Sequence, residues 1–88
     1  MAKAKKEDWA GAIADYSACI RSPGLSNDVL AMSLYNRALA YSAVRQDDKA
    51  AQDLDAVLKV PGLPEKIKIA AGQRQERIRR RDGGGDNP

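Results

Sequence analysis

The chain has 88 residues, a formal net charge of +3, and neither phenylalanine nor histidine. This length allows one small domain, whose core must be built from alanine, aliphatic residues and tyrosine. The lack of histidine excludes histidine-based acid–base catalysis and histidine-ligated zinc, and a single cysteine excludes an intramolecular disulfide.

Residues 6–21 are predicted to form the first helix, because apolar side chains recur there at the spacing of one helical face. These side chains are Trp9, Ala12, Ile13, Tyr16, Cys19 and Ile20. The lone cysteine lies on this face and is interpreted as a small core residue rather than a reactive thiol. A Pro23-Gly24 turn ends the helix, and Ser26 or Asn27 is placed to cap the next one.

Residues 28–43 carry two adjacent apolar stripes, which predicts a second helix with neighbours on two sides. One stripe holds Leu30, Leu34, Ala38 and Tyr41, and the other holds Met32, Tyr35 and Leu39. A polar run follows, in which Asp47 is expected to cap the third helix, residues 47–59. The third helix has one apolar stripe, formed by Ala50, Ala51, Leu54, Val57 and Leu58.

Residues 64–81 are predicted to form the fourth helix, which begins with Pro64 and ends in an arginine run. It has few apolar residues, and its charged outer face is typical of a terminal helix that closes a repeat stack and turns a polar side to water, here called a capping helix. The glycines from position 83 are expected to stop this helix, and residues 83–88 to be disordered. The sequence has no strand-like alternation, so it predicts an all-α fold of four helices.

The first and third helices are related by an internal repeat with a constant step of 38 positions, from Ala12 to Ala50. The residues that recur are Ala12, Asp15, Tyr16, Ala18, Pro23, Gly24 and Leu25, as Ala50, Asp53, Leu54, Ala56, Pro61, Gly62 and Leu63. Repetition of a helix-plus-turn unit indicates stacked hairpins.

The string from Leu34 to Ala38, followed by Ala40-Tyr41, resembles the first helix of a tetratricopeptide repeat. In the third helix, Ala50, Leu54 and Val57 match the small, large and small positions of that family's second helix. Four features depart from the pattern. Arg45 stands where the family usually has glycine, and Val57 is larger than the usual alanine. The closing proline is slightly shifted, as Pro61-Gly62, and the step exceeds the usual length of about 34 residues.

The resemblance implies an antiparallel helical-hairpin repeat over residues 1–82, a fragment of a right-handed superhelix. It contains a second-type helix at 6–21, a full repeat at 28–60 and a capping helix at 64–81. Because this order begins halfway through a repeat, either flanking repeats of a longer chain or a second copy should cover the first helix. The candidate residues for self-association are Trp9, Ile13 and Tyr16.

The resemblance also implies a non-catalytic scaffold that docks a protein or peptide on the face of its first-type helices. The groove candidates are Ser33, Asn36, Arg37, Ala40, Ala70, Arg74 and Arg77. This set is mildly basic and favours an acidic peptide. Asn36 and Arg74 match two positions of the family's clamp for chaperone C-termini. Ala70 stands in the lysine position of that clamp, however, and Asn36 has a purely structural alternative.

The alternative function is binding of nucleic acid or another anionic surface through Arg77, Arg79, Arg80 and Arg81. It is the less favoured interpretation, because no aromatic residues interleave with these arginines for base stacking. No enzyme activity, cofactor or metal is expected, because no glycine-rich phosphate loop is present. The paired aspartates, Asp47 with Asp48 and Asp53 with Asp55, are interpreted as helix caps and surface charges. Without a secretory signal or an apolar span, the expected location is the cytoplasm.

Overall fold

The structure, a computed structural model, describes the backbone of residues 8–84 and the side chains of residues 8–81. Four α-helices follow in order: α1 (Trp9–Ile20), α2 (Asn27–Ala43), α3 (Asp47–Lys59) and α4 (Glu65–Gly84). No strand occurs within residues 8–84. The prediction of an all-α chain with four helices is confirmed.

Each helix packs antiparallel against the next one along the chain. Between α1 and α2, Arg37 donates a hydrogen bond to Ser17, and the side chains of Cys19 and Ser33 are hydrogen-bonded to each other. Because the residue number rises along α1 while it falls along α2 from the first of these contacts to the second, the two helices run in opposite directions. The core lies between α2, α3 and α4, and its central side chains, Leu54 and Val57, are fully buried. Small residues at the contacts let the helix backbones approach closely. They are Ala31, Ala38, Ala50 and Ala71, all with no exposed surface.

The ends of three helices differ from the predicted ones: α2 begins one residue early, at Asn27, and α1 and α4 differ at both ends. Helix α1 begins at Trp9 because the Asp8 carboxylate caps it, accepting a 3.0 Å hydrogen bond from the Gly11 amide. The predicted start at residue 6 lies outside the described residues. Helix α4 continues to Gly84, past the predicted stop, since glycine weakens a helix by only about 1 kcal/mol per residue. Residues 85–88 of the predicted tail are also outside the described part.

Asp47 does not cap α3, contrary to the prediction. The cap position is Gln46, which makes no side-chain capping bond. The Asp47 carboxylate instead accepts hydrogen bonds from Arg81, at 2.5 Å from Nη2 and 3.3 Å from Nε. A charged partner at the end of α4 therefore outcompetes the local backbone amides. This contact ties the last turn of α4 to the first turn of α3.

The 38-residue step of the sequence is also a structural step. Helix α3 begins 38 positions after α1, and α4 begins 38 positions after α2. Gly24 and Gly62, separated by the same step, both have φ of 75°. The packing is therefore consistent with a helical repeat in which α1 corresponds to α3 and α2 corresponds to α4.

The two turn glycines should respond to substitution in the opposite sense to a helical one. Gly62→Ala should lower the free energy of unfolding by about 1 kcal/mol, because a side chain disfavours a left-handed backbone. Gly72→Ala should raise it by a similar amount of about 1 kcal/mol, because Gly72 is helical and an added Cβ meets no atom within 4 Å. Urea unfolding of both variants tests this, and equal signs would contradict it.

Candidate functional site

A buried ion pair joins three helices around Arg37. Its guanidinium donates to both carboxylate oxygens of Asp53 on α3, at 2.7 and 2.8 Å, and to the Ser17 hydroxyl on α1, at 2.9 Å. The same group lies 5.5 Å from the centre of the Tyr41 ring. Hydrogen bonding to Asp53 outweighs burial and raises the pKa of Arg37 above its ordinary value.

This arrangement corrects two predictions. Arg37 is a groove candidate in the sequence, but each of its three guanidinium nitrogens donates a hydrogen bond within the chain, so the side chain is held between the helices. Asp53, interpreted as a surface charge, is buried with a side chain only 7% exposed. The sequence signal for the pair was present, because Asp53 lies on the same helical face as the apolar Ala50 and Val57.

Two further groove candidates are also interior residues. Ser33 is buried, and its hydroxyl lies 3.2 Å from the Cys19 sulfur, so it closes the α1–α2 contact. Ala40 is buried as well. Ser33 and Ala40 are seven positions apart and therefore lie on one face of α2, which is directed toward neighbouring helices rather than toward an open surface. Cys19, predicted to be a small core residue, is half-buried in the α1–α2 contact and lies outside the core cluster.

Three of the four remaining candidates meet in a groove between α2 and α4. We define this α2–α4 groove by two adjoining hollows that share Tyr35 and Ala70. The first, about 150 Å³, is lined also by Met32, Lys66 and Ile67. The second, about 100 Å³, is lined also by Gln73, Arg74 and Arg77. Three of the predicted residues, Ala70, Arg74 and Arg77, are therefore brought together.

The α2–α4 groove has an apolar end and a basic end. Met32 and Ile67 line the apolar end, and Met32 is 41% exposed. The cations Arg74 and Arg77 line the other end, and neither has an ion-pair partner among residues 8–81. No acidic side chain lines either hollow. Such a surface complements a ligand that combines negative charge with an apolar side chain.

Sequence reasoning missed part of this groove. Met32, Lys66, Ile67 and Gln73 line it but were not among the site candidates. The second apolar stripe of α2, which includes Met32 and Tyr35, was the signal that could have identified them. Asn36 is half-buried and lines neither hollow, so it does not join Arg74 there.

The arginine run of α4 is largely engaged within the chain. Arg79 and Arg80 both pair with Glu76, and Arg81 pairs with Asp47 and also donates to Ser42 at 3.0 Å. The hydrogen bond from Arg79 holds the pKa of Glu76 below its usual range. These pairs lower the positive charge that the helix presents to a polyanion, so no observation favours nucleic-acid binding.

Helix α1 is covered less than the other helices, as its position at one end of the stack requires. None of its residues is buried, Trp9 is 39% exposed, and Ile13 and Tyr16 are half-buried. Its structural equivalent, α3, contributes four buried residues. The predicted self-association candidates thus lie on the helix with the least burial.

The described residues include no cluster of acidic or cysteine side chains that is suited to hold a metal ion. No helix in this part of the chain is long and apolar enough to span a bilayer. Comparison with protein-family models, with curated proteins and with solved structures finds no match to this chain.

Proposed function

We propose that this chain is a non-catalytic docking scaffold of the tetratricopeptide-repeat type, which binds an acidic peptide in the α2–α4 groove. The observation that carries the proposal is the continuity of the groove: Tyr35 and Ala70 line both its apolar end and its basic end. A single extended segment that crosses this boundary meets both environments.

The peptide expected here has one apolar side chain and one or two carboxylates a few residues away. The apolar side chain enters between Met32 and Ile67, where it removes an exposed methionine from water. The carboxylate pairs with Arg74 and Arg77, and a guanidinium can donate to both carboxylate oxygens. Neither arginine must first break an ion pair among the described residues, so this contact has little reorganisation cost.

Binding of labelled peptides tests the proposal. The probe is a fluorescein-labelled pool with one fixed leucine and flanking positions restricted to aspartate, glutamate and glycine, read by anisotropy and by amide shifts. The Arg74→Glu variant should lose about tenfold or more in affinity, because a charge-assisted hydrogen bond becomes a repulsion. Amide shifts should be concentrated at Tyr35 and Ala70.

The matched control is Lys49→Glu, which makes the same charge change on an exposed residue of α3 outside the groove. It should retain the wild-type affinity. The proposal fails if the pool does not bind, or if Arg74→Glu and Lys49→Glu weaken binding equally. Tight, salt-sensitive binding of a random oligonucleotide that depends on Arg79–Arg81 would instead support the nucleic-acid alternative.

The proposal places the scaffold in the cytoplasm. Its only cysteine, Cys19, is half-buried against Ser33, and the fold uses no disulfide among its described residues. A reducing compartment suits such a chain.

A further inference from the structure

We infer that this chain binds a second copy of itself head to tail, the outer face of α4 in one copy packing on α1 of the next. We define the outer face of α4 by Ile69, Gly72, Gln73, Glu76, Arg77 and Arg80, which line a hollow of about 700 Å³. No described residue of another helix lines it. Ile69 is 51% exposed, more than any other large apolar side chain among the described residues.

The inference follows from the order of equivalent helices. The 38-residue step makes α1 equivalent to α3 and α2 equivalent to α4. Within the chain, α2 packs closely on both α1 and α3, whereas the close packing of α4 is with α3. The contact that α4 lacks is the one that α2 makes with α3. The only helix equivalent to α3 is α1, and α1 has no buried residue.

The side chains at the two ends differ from the leucines of the α2–α3 contact in opposite directions. In the α2–α3 contact, Leu34 and Leu54 are both buried. The residues at the equivalent positions are Gly72 on α4 and Tyr16 on α1. A glycine in place of one leucine leaves a hollow, and a tyrosine in place of the other is larger than a leucine. The larger tyrosine fills part of the space that the glycine leaves, so the two faces are complementary in shape at this position.

Charge favours the same pairing. Residues 8–20 contain two acids, Asp8 and Asp15, and no base. The outer face of α4 presents Arg77 and Arg80. Asp15 is exposed and is the equivalent of Asp53, which pairs with Arg37 inside the chain. The residue of the second copy at the place of Arg37 is Gln75, so the ion pair between Arg37 and Asp53 is not reproduced there. The attraction of Asp15 comes instead from the net positive charge of the outer face of α4, which carries Arg77 and Arg80 against Glu76.

One feature weakens the contact. Glu76 occupies the position equivalent to the buried Ala38, so the outer face of α4 carries a carboxylate where α2 is apolar. Glu76 is already paired with Arg79 and Arg80, which reduces but does not remove its desolvation cost. We therefore expect association that is weak and concentration-dependent rather than a permanent dimer.

Sedimentation equilibrium of the full chain tests the head-to-tail mode. The wild type should form species larger than a dimer as its concentration rises, because a heterologous contact does not close. Asp15→Arg blocks α1, and Gly72→Arg blocks α4; each variant alone should be monomeric. An equimolar mixture should form a dimer and nothing larger, because it contains one intact α1 and one intact α4 per pair.

Both substitutions are chosen to spare the fold. Asp15 is exposed, and an added Cβ at Gly72 meets no atom within 4 Å. Trp9→Glu and Ile69→Glu are the second pair, used if circular dichroism shows either first variant unfolded. The inference is overturned if the wild type stays monomeric at the highest concentration, if one blocked variant dimerises alone, or if the mixture remains monomeric.

Discussion

Arg37→Ala should lower the free energy of unfolding by about 3 kcal/mol, because it leaves the Asp53 carboxylate buried without a partner. The loss is a large part of the 5–15 kcal/mol that holds a typical domain together. Arg37→Lys should cost less, since the charge remains, but one ammonium cannot reproduce the bidentate bond to Asp53 together with the bond to Ser17. Urea unfolding at neutral pH measures both changes.

The control for the ion pair lies in the same helix. Asp55 pairs with Lys59 at 3.1 Å on the surface, with side chains 55% and 76% exposed. Asp55→Ala should therefore change stability by about 0.5 kcal/mol or less, as exposed pairs of this spacing do. Equally small losses for Arg37→Ala and Asp55→Ala would show that the contacts of Arg37 with Asp53 and Ser17 do not stabilise the fold.

Leu54→Ala should also lower the free energy of unfolding by about 3 kcal/mol. Leu54 has no exposed surface and is one of the two largest fully buried side chains in the described structure. Truncation removes apolar contacts and leaves a cavity that the surrounding helices fill only in part. Thermal or urea unfolding of the variant should show a lower midpoint and an unchanged slope with denaturant.

Leu58→Ala is the matched comparison for this prediction. Leu58 lies one turn further along α3 and is only half-buried. Its truncation should therefore cost about half as much as that of Leu54, since the cost follows the apolar surface removed from water. A larger loss at Leu58 than at Leu54 would place the centre of the core elsewhere.

The helices of this chain could be predicted closely from the sequence alone. The start of α3 at Asp47 and its end at Lys59 agree with the prediction, and Ser26 caps α2 as expected, accepting from the Val29 amide at 3.2 Å. These helix boundaries could be predicted because apolar spacing, caps and turn glycines are local signals. The interactions behind them form between residues that are close in the sequence. The repeat step was equally visible, because stacked units reuse the same contacts.

The sequence showed that Arg45 stands where the tetratricopeptide repeat usually has glycine, but it did not show which backbone conformation this arginine adopts. Arg45 has φ of 66° and ends α2 in a motif where the Gln46 amide bonds the Tyr41 carbonyl at 2.9 Å. That position favours glycine because a left-handed backbone crowds a side chain. Here the short link to α3 imposes the conformation on an arginine.

The sequence by itself determined the helices, their turns and the internal repeat, because periodicity and capping act over short distances along the chain. Only the tertiary structure decided where the polar side chains went. Arg37 became an interior partner of Asp53, and Asp47 was held by Arg81, while Arg74 and Arg77 were left open beside Tyr35. Whether two charged groups on different helices form an ion pair depends on the distance between them and on their desolvation in the folded chain. No local sequence pattern encodes that distance.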